Sequence, residues 1–124
     1  MDIPPWSGAD DPPYMPRIRR VFAGQLGERT DKVRQMIDTL RAGDTAPAEM
    51  AEQLIAAVHD LSGTSASVGA AELGALAFGL AVRGEAWRKL PDAVSGDERE
   101  AAITDLKALL DAAARFQRWM EFAP

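Results

Sequence analysis

The sequence predicts an all-α fold, an antiparallel four-helix bundle over residues 17–124 entered through an extended, Pro-rich N-terminal lead-in over residues 1–16. Three observations predict it. Apolar residues recur at three- and four-residue steps in four successive stretches. No segment alternates apolar and polar residues with the period of two that a strand requires. The periodic stretches are joined by short connections marked by glycine or proline, which make consecutive helices antiparallel neighbours.

Each element follows from its residues. Five of the eight prolines fall within Pro4–Pro16. That segment has no periodicity and reads as extended or mobile, with Trp6 and Tyr14 as its candidate anchors. The first helix follows Pro16, with an apolar stripe of Ile18, Phe22, Leu26, Val33, Met36, Ile37 and Leu40 interrupted by Arg29. Gly43 suits the position just past its end. The second helix starts near Thr45–Pro47, since proline loses nothing in a first turn. Its stripe is Met50, Leu54, Ala57, Val58, Leu61, Ser65 and Val68, ending near Gly69. The third carries Leu73, Leu76, Ala77, Leu80, Gly84 and Trp87 and ends by Pro91. Gly74, Gly79 and Gly84 each weaken it by ~1 kcal/mol relative to alanine, so packing must hold it. The fourth opens on a capping box, Ser95 with Glu98 three residues on, and its stripe is Ile103, Leu106, Leu110, Ala113, Phe116 and Met120.

Composition narrows function. The 124 residues suit one domain, with 47% hydrophobic and 27% charged residues. A net charge of −5 argues against nucleic acid, whose phosphates call for clustered Lys and Arg, and Arg17, Arg19 and Arg20 make too short a run. The chain has no cysteine, which removes disulfides and thiol chemistry and fits a reducing cytoplasm. Met1–Asp11 has neither a basic region nor an apolar run, so no signal peptide is expected. The stretch Leu61–Val82 carries one charge, Glu72, but its serines, Thr64 and glycines fit two buried helix segments and their junction better than a membrane span.

Candidate chemical groups are few. His59 is the only histidine. No strand-turn-helix context surrounds any serine, one histidine with scattered carboxylates is weak support for a metal site, and no Gly-rich phosphate loop is present. At about 100° per residue, His59 points about 140° away from the Leu54–Val58–Leu61 stripe, toward solvent or a partner. Residues three, four and seven positions away share its face: Glu52, Ile55, Ala56, Ser62, Gly63 and Ala66. Four of these six are very small, where an exposed face ordinarily carries long polar side chains. Gly63, read as mid-helix, costs roughly 1 kcal/mol against alanine, and access to His59 is the benefit that offsets it. The plain alternative is that these small residues pack against another helix. Phe78 and Val82 point away from the core stripe of the third helix, as partner contacts or as a surface covered by the lead-in.

The run from His59 to Leu73, His-Asp-Leu-Ser-Gly-Thr-Ser-Ala-Ser-Val-Gly-Ala-Ala-Glu-Leu, resembles the signature of histidine phosphotransfer (HPt) domains. That signature has a histidine, a leucine two later, a glycine four later, small residues, then Gly-Ala before a leucine-rich helix. His59, Leu61, Gly63, Gly69, Ala70, Leu73, Leu76, Ala77 and Leu80 fit it, over about 25 residues, and the helix plan from Pro16 onward fits the family's bundle. Two positions depart. Many members have lysine three residues after the histidine, where this chain has Ser62, and many have glutamate where Ala81 follows Leu80.

The resemblance implies a phosphoryl carrier of a two-component phosphorelay rather than a stand-alone enzyme. A ring nitrogen of His59 would attack a phosphoaspartate of a response-regulator receiver domain, and the reverse transfer would pass the group onward. Ser62 would donate a hydrogen bond to a phosphoryl oxygen and Gly63 would leave room for it. Glu52, Ile55, Ala56, Ala66 and Phe78 would form the docking face. No cofactor is expected on this chain, since Mg²⁺ belongs to the receiver. The implied partners are receiver domains and a hybrid histidine kinase, with no membrane or nucleic acid, in the cytoplasm. The alternative is a helical module that docks receivers or other signalling proteins without carrying phosphate, and an unrelated helical scaffold is the third reading.

Overall fold

The structure, a computed structural model, describes residues 3–6 and 11–122. Expectations for residues 1–2, 7–10 and 123–124 lie outside the described residues. Four long helices follow in order: α1 (Met15–Ala42), α2 (Pro47–Thr64), α3 (Ala71–Lys89) and α4 (Gly96–Phe122), with single 3-10 turns at Ala66–Val68 and Pro91–Ala93. Among the described residues there is no strand.

The ends obey local chemistry. Pro16 and Pro47 occupy first turns. Gly43 closes α1 at φ 70°, its N–H donating to the Thr39 carbonyl oxygen at 3.3 Å. Helix α2 stops at Thr64, earlier than the periodicity predicts. A 3-10 turn then leads to Gly69, whose φ of 88° suits glycine. Gly63 therefore lies in the last turn of α2, not in mid-helix, so the propensity cost expected there is smaller. Half of the expected capping box forms. The Glu98 N–H donates to Ser95 Oγ at 3.1 Å, but the Glu98 carboxylate turns to α3, accepting from Arg83 Nη1 at 2.7 Å and Trp87 Nε1 at 3.1 Å.

Side-chain contacts join neighbouring helices. Lys32 faces Asp60 across α1 and α2. Gln117 Nε2 donates to the Ala23 carbonyl oxygen across α1 and α4. Arg83 reaches Asp105 and Glu72 meets Arg115 across α3 and α4. A Cβ on Gly84 would fall 2.6 Å from Ile55 Cγ1, and one on Gly74 would fall 3.2 Å from the Ala66 nitrogen, so α2 and α3 also run in opposite directions. Those two glycines have a packing reason: Gly84 admits Ile55 and the Ala51 carbonyl oxygen of α2, and Gly74 admits Ser65 and Ala66 just beyond it. One apolar core joins the helices, including Phe22, Leu26, Leu54, Leu61, Leu80, Leu106 and Phe116. Among the described residues no helix is long and apolar enough to cross a membrane.

Two expectations for the N-terminal part change. Ile18 is exposed and Arg19 is buried instead. Arg19 Nε donates to the Val68 carbonyl oxygen at 2.8 Å, Nη1 pairs with Asp11 at 2.8 Å, and the guanidinium lies 4.5 Å from the Trp6 ring centroid. Trp6 in turn packs against Phe116 and Trp119 and covers Gly69. Trp6 thus packs against α4, while Tyr14 is exposed.

Candidate functional site

His59 lies on the exposed side of α2, five residues before the helix ends. Its position follows from the heptad-like burial of Leu54, Val58 and Leu61, all at 0% exposure, which turns residue 59 outward. The polar groups beside it are bonded elsewhere. Ser62 Oγ donates to the His59 carbonyl oxygen at 3.2 Å, Thr64 Oγ1 to the Asp60 carbonyl oxygen at 2.6 Å, and Asp60 faces Lys32 at 3.8 Å. None of these bonds reaches the imidazole ring.

The space around the ring is open. Nothing lies within 4 Å of where a Cβ on Gly63 would sit, Ala56 is an exposed methyl-bearing position on the same helix, and Ala66 is exposed in the 3-10 turn that follows it. Gly63 does not pack against another helix, whereas Ala66 lies against Gly74 of α3. A further contrast is Gly84, where the absent side chain is filled by Ile55. Ile55 itself is half-buried there, so only part of it faces outward, as a correction to its reading as an open apolar contact. Ala56 borders the groove between α1 and α2, beside Lys32, Gln35, Met36, Thr39, Gln53 and Ala57, so it faces a different side from Phe78.

Helix α3 supplies the other edge. Because Gly84 meets Ile55 and Gly74 meets Ser65 and Ala66, the intervening Ala77–Ala81 runs alongside Val58–Ser62. Phe78, one turn after Gly74, sits on the solvent edge of that contact and is 63% exposed, with Val82 52% exposed a turn later. The described part of the lead-in packs at the Gly69 end instead, so it does not cover them.

Glu52 is not a free contact. Arg88 of α3 grips its carboxylate with two bonds, Nε to Oε1 at 2.6 Å and Nη2 to Oε2 at 3.0 Å, and Arg88 also pairs with Glu85 at 2.9 Å. The Arg88 hydrogen bond holds the Glu52 carboxyl below its usual range, and Glu52 in turn raises Arg88. Sequence reading missed Arg88 and Glu85. Their i, i+3 spacing is visible, but the partner Glu52 lies 36 positions away and only helix pairing brings it near.

The arrangement offers one exposed imidazole on α2, low neighbours, and an apolar edge from Phe78 and Val82. Among the described residues no group of three or more His, Asp or Glu converges as a metal site. Comparison with protein-family models, curated proteins and solved structures finds no match to this chain.

Proposed function

We propose that this chain is a histidine phosphotransfer protein built on an antiparallel four-helix bundle, accepting and donating a phosphoryl group on His59 in exchange with receiver-domain aspartates. The observation that carries the reading is the exposed His59 ring set among Gly63, Ala66 and Ala56, none of which blocks approach to it. The HPt-like run from His59 to Leu73 supports the same assignment.

The chemistry is spare. The lone pair of a neutral imidazole nitrogen attacks the phosphorus of an acyl phosphate. The N–P bond forms, the P–O bond to the aspartate breaks, and the carboxylate leaves with the bonding pair. The other ring nitrogen keeps its proton until the phosphoimidazolium releases it to water. Phosphoryl transfer rests on in-line positioning and charge stabilisation more than on covalent work by the protein. This chain presents the nucleophile and an apolar docking edge at Phe78 and Val82. The receiver supplies Mg²⁺ and its own lysine. The soluble, cytoplasmic setting and the receiver and hybrid-kinase partners belong to this same reading.

A second reading has one observation in its favour. Two cations that reach α2 are already paired, Arg88 with Glu52 and Glu85 and Lys32 with Asp60, and Ser62 bonds its own helix. A module that docks receivers without carrying phosphate needs no phosphoryl-binding cation. Incubation with phosphorylated receivers and small-molecule phosphodonors separates the two. Acid-labile, base-stable phosphate on the wild type that is absent from His59→Ala establishes the carrier. Binding without label on a correctly folded protein leaves the docking module.

A further inference from the structure

Helix α1 carries a second unpartnered surface. Its register against α2 is set by Lys32 facing Asp60, so Thr64, the last residue of α2, comes level with about residue 28 of α1. Beyond that point the chain turns inward. The Val68 carbonyl oxygen meets buried Arg19, and Gly69 passes beneath Trp6 toward α3. Among the described residues, the side of α1 that α2 covers further on has nothing from α2 over its first two turns. Tyr14, Ile18 and Val21 lie on that side at i, i+4 and i+7, and they are 60%, 40% and 56% exposed. The stripe is about 10 Å long at 1.5 Å per residue.

Charge marks what would cover it. From Met15 to Gly27 there is no acidic residue, in a chain of net charge −5. Arg17 is exposed beside the stripe and Arg20 is exposed further round the helix, and the helix N-terminus adds positive potential. Arg29 is folded back over the Phe22 ring at 5.7 Å, with Nη1 buried and without a hydrogen-bond partner. Among the described residues no ion pair engages these three arginines.

We propose that the Tyr14–Ile18–Val21 stripe, with Arg17, Arg20 and Arg29, docks an acidic amphipathic helix of a partner protein, laid on α1 where α2 has ended. An apolar stripe at helical spacing reads the i, i+4, i+7 face of such a helix, and the arginines read carboxylates on either side of it. The surface is separate from His59 and does not depend on the phosphotransfer reading.

The test uses the whole chain, ¹⁵N-labelled, titrated to about 1 mM with a helical peptide carrying leucine at i, i+4 and i+7 flanked by glutamate, a range that captures weak docking. Amide shifts are expected at 14–29 and not at 59–66. Binding should fall at least tenfold with Val21→Asp, with Arg17→Glu plus Arg20→Glu, and with a peptide whose glutamates are replaced by lysine. Circular dichroism checks that the variants are folded, which the exposure of these residues favours. Absence of shifts at 14–29, or equal binding of the lysine peptide, overturns the proposal. So does self-association of the chain that Val21→Asp abolishes, which assigns the stripe to a second copy. Binding to phosphatidylserine vesicles but not to the peptide overturns it in favour of a lipid surface.

Discussion

The Ser62 hydroxyl donates to the carbonyl oxygen of His59, three residues back on the same helix, at 3.2 Å. A hydroxyl bonded to its own helix backbone contributes little to an incoming phosphoryl group. Ser62→Ala is expected to leave phosphotransfer within threefold of wild type and stability within about 0.5 kcal/mol, as for surface substitutions generally. Ser62→Lys places a cation one turn from the ring and should speed transfer or lengthen the lifetime of the phosphorylated form. Single-turnover transfer from a phosphorylated receiver measures both. A tenfold loss in Ser62→Ala would show that the hydroxyl turns toward the phosphoryl group during transfer.

Two glycines on facing helices should respond oppositely to alanine. A Cβ on Gly63 meets nothing within 4 Å, whereas one on Gly84 would fall 2.6 Å from Ile55 Cγ1 and 3.3 Å from the Ala51 carbonyl oxygen. Gly63→Ala is expected to raise stability by up to ~1 kcal/mol through helix propensity. Gly84→Ala gains the same propensity but overpacks a stiff β-branched neighbour, at a cost of roughly 1–3 kcal/mol, for a net loss of about 1 kcal/mol. Urea unfolding resolves these signs. Gly63→Leu, which projects over the surface beside His59, should keep its stability and lose receiver transfer by tenfold or more.

Arg19 ties three parts of the chain together: Asp11 of the lead-in, the Val68 carbonyl oxygen and the Trp6 ring. Arg19→Ala leaves a buried carbonyl oxygen without its donor and a carboxylate without its partner. The expected loss is about 2–3 kcal/mol. Asp11→Asn keeps the bond to Val68 and should lose less than half of that. Equal losses in the two variants would place the energy in the ion pair rather than in the carbonyl bond.

Glu98 accepts from Trp87 and from Arg83, and these bonds, Trp87's first, hold its carboxyl below the ordinary value of 4.5. A carboxyl depressed in the folded state stabilises the protein above its unfolded value and loses that contribution as pH falls through the folded one. The contribution is therefore present at pH 7, declines below about pH 4.5 and is gone in stronger acid. Glu98 is partly solvent-exposed, so the effect is small. Chemical denaturation at a series of pH values should show a shallower acid decline in Glu98→Gln than in wild type. Identical slopes would mean that the carboxylate gains nothing from its two donors on folding.

The sequence alone determined the helical class, the four elements and the outward direction of His59, because a 3.6-residue apolar period encodes both a helix and the face it buries. It also places Ala56 and Gly63 one turn from His59 on the same helix, but Ala66 falls in the 3-10 turn beyond the end of α2, where helical spacing no longer applies. Tertiary structure decided the rest. Ile18 continues the apolar period yet is exposed, because α2 has ended before reaching it, and Arg19 is buried because the Val68 carbonyl oxygen and Asp11 satisfy it. Gly63 and Gly84 read alike as helix-weakening glycines, but only helix pairing separates the one that faces open space from the one that Ile55 fills. Glu52 and Arg88 lie 36 positions apart and meet only across the α2–α3 contact. Periodicity records which face of a helix turns inward; where a neighbouring helix stops, and what it brings with it, is set by packing between elements distant in the chain.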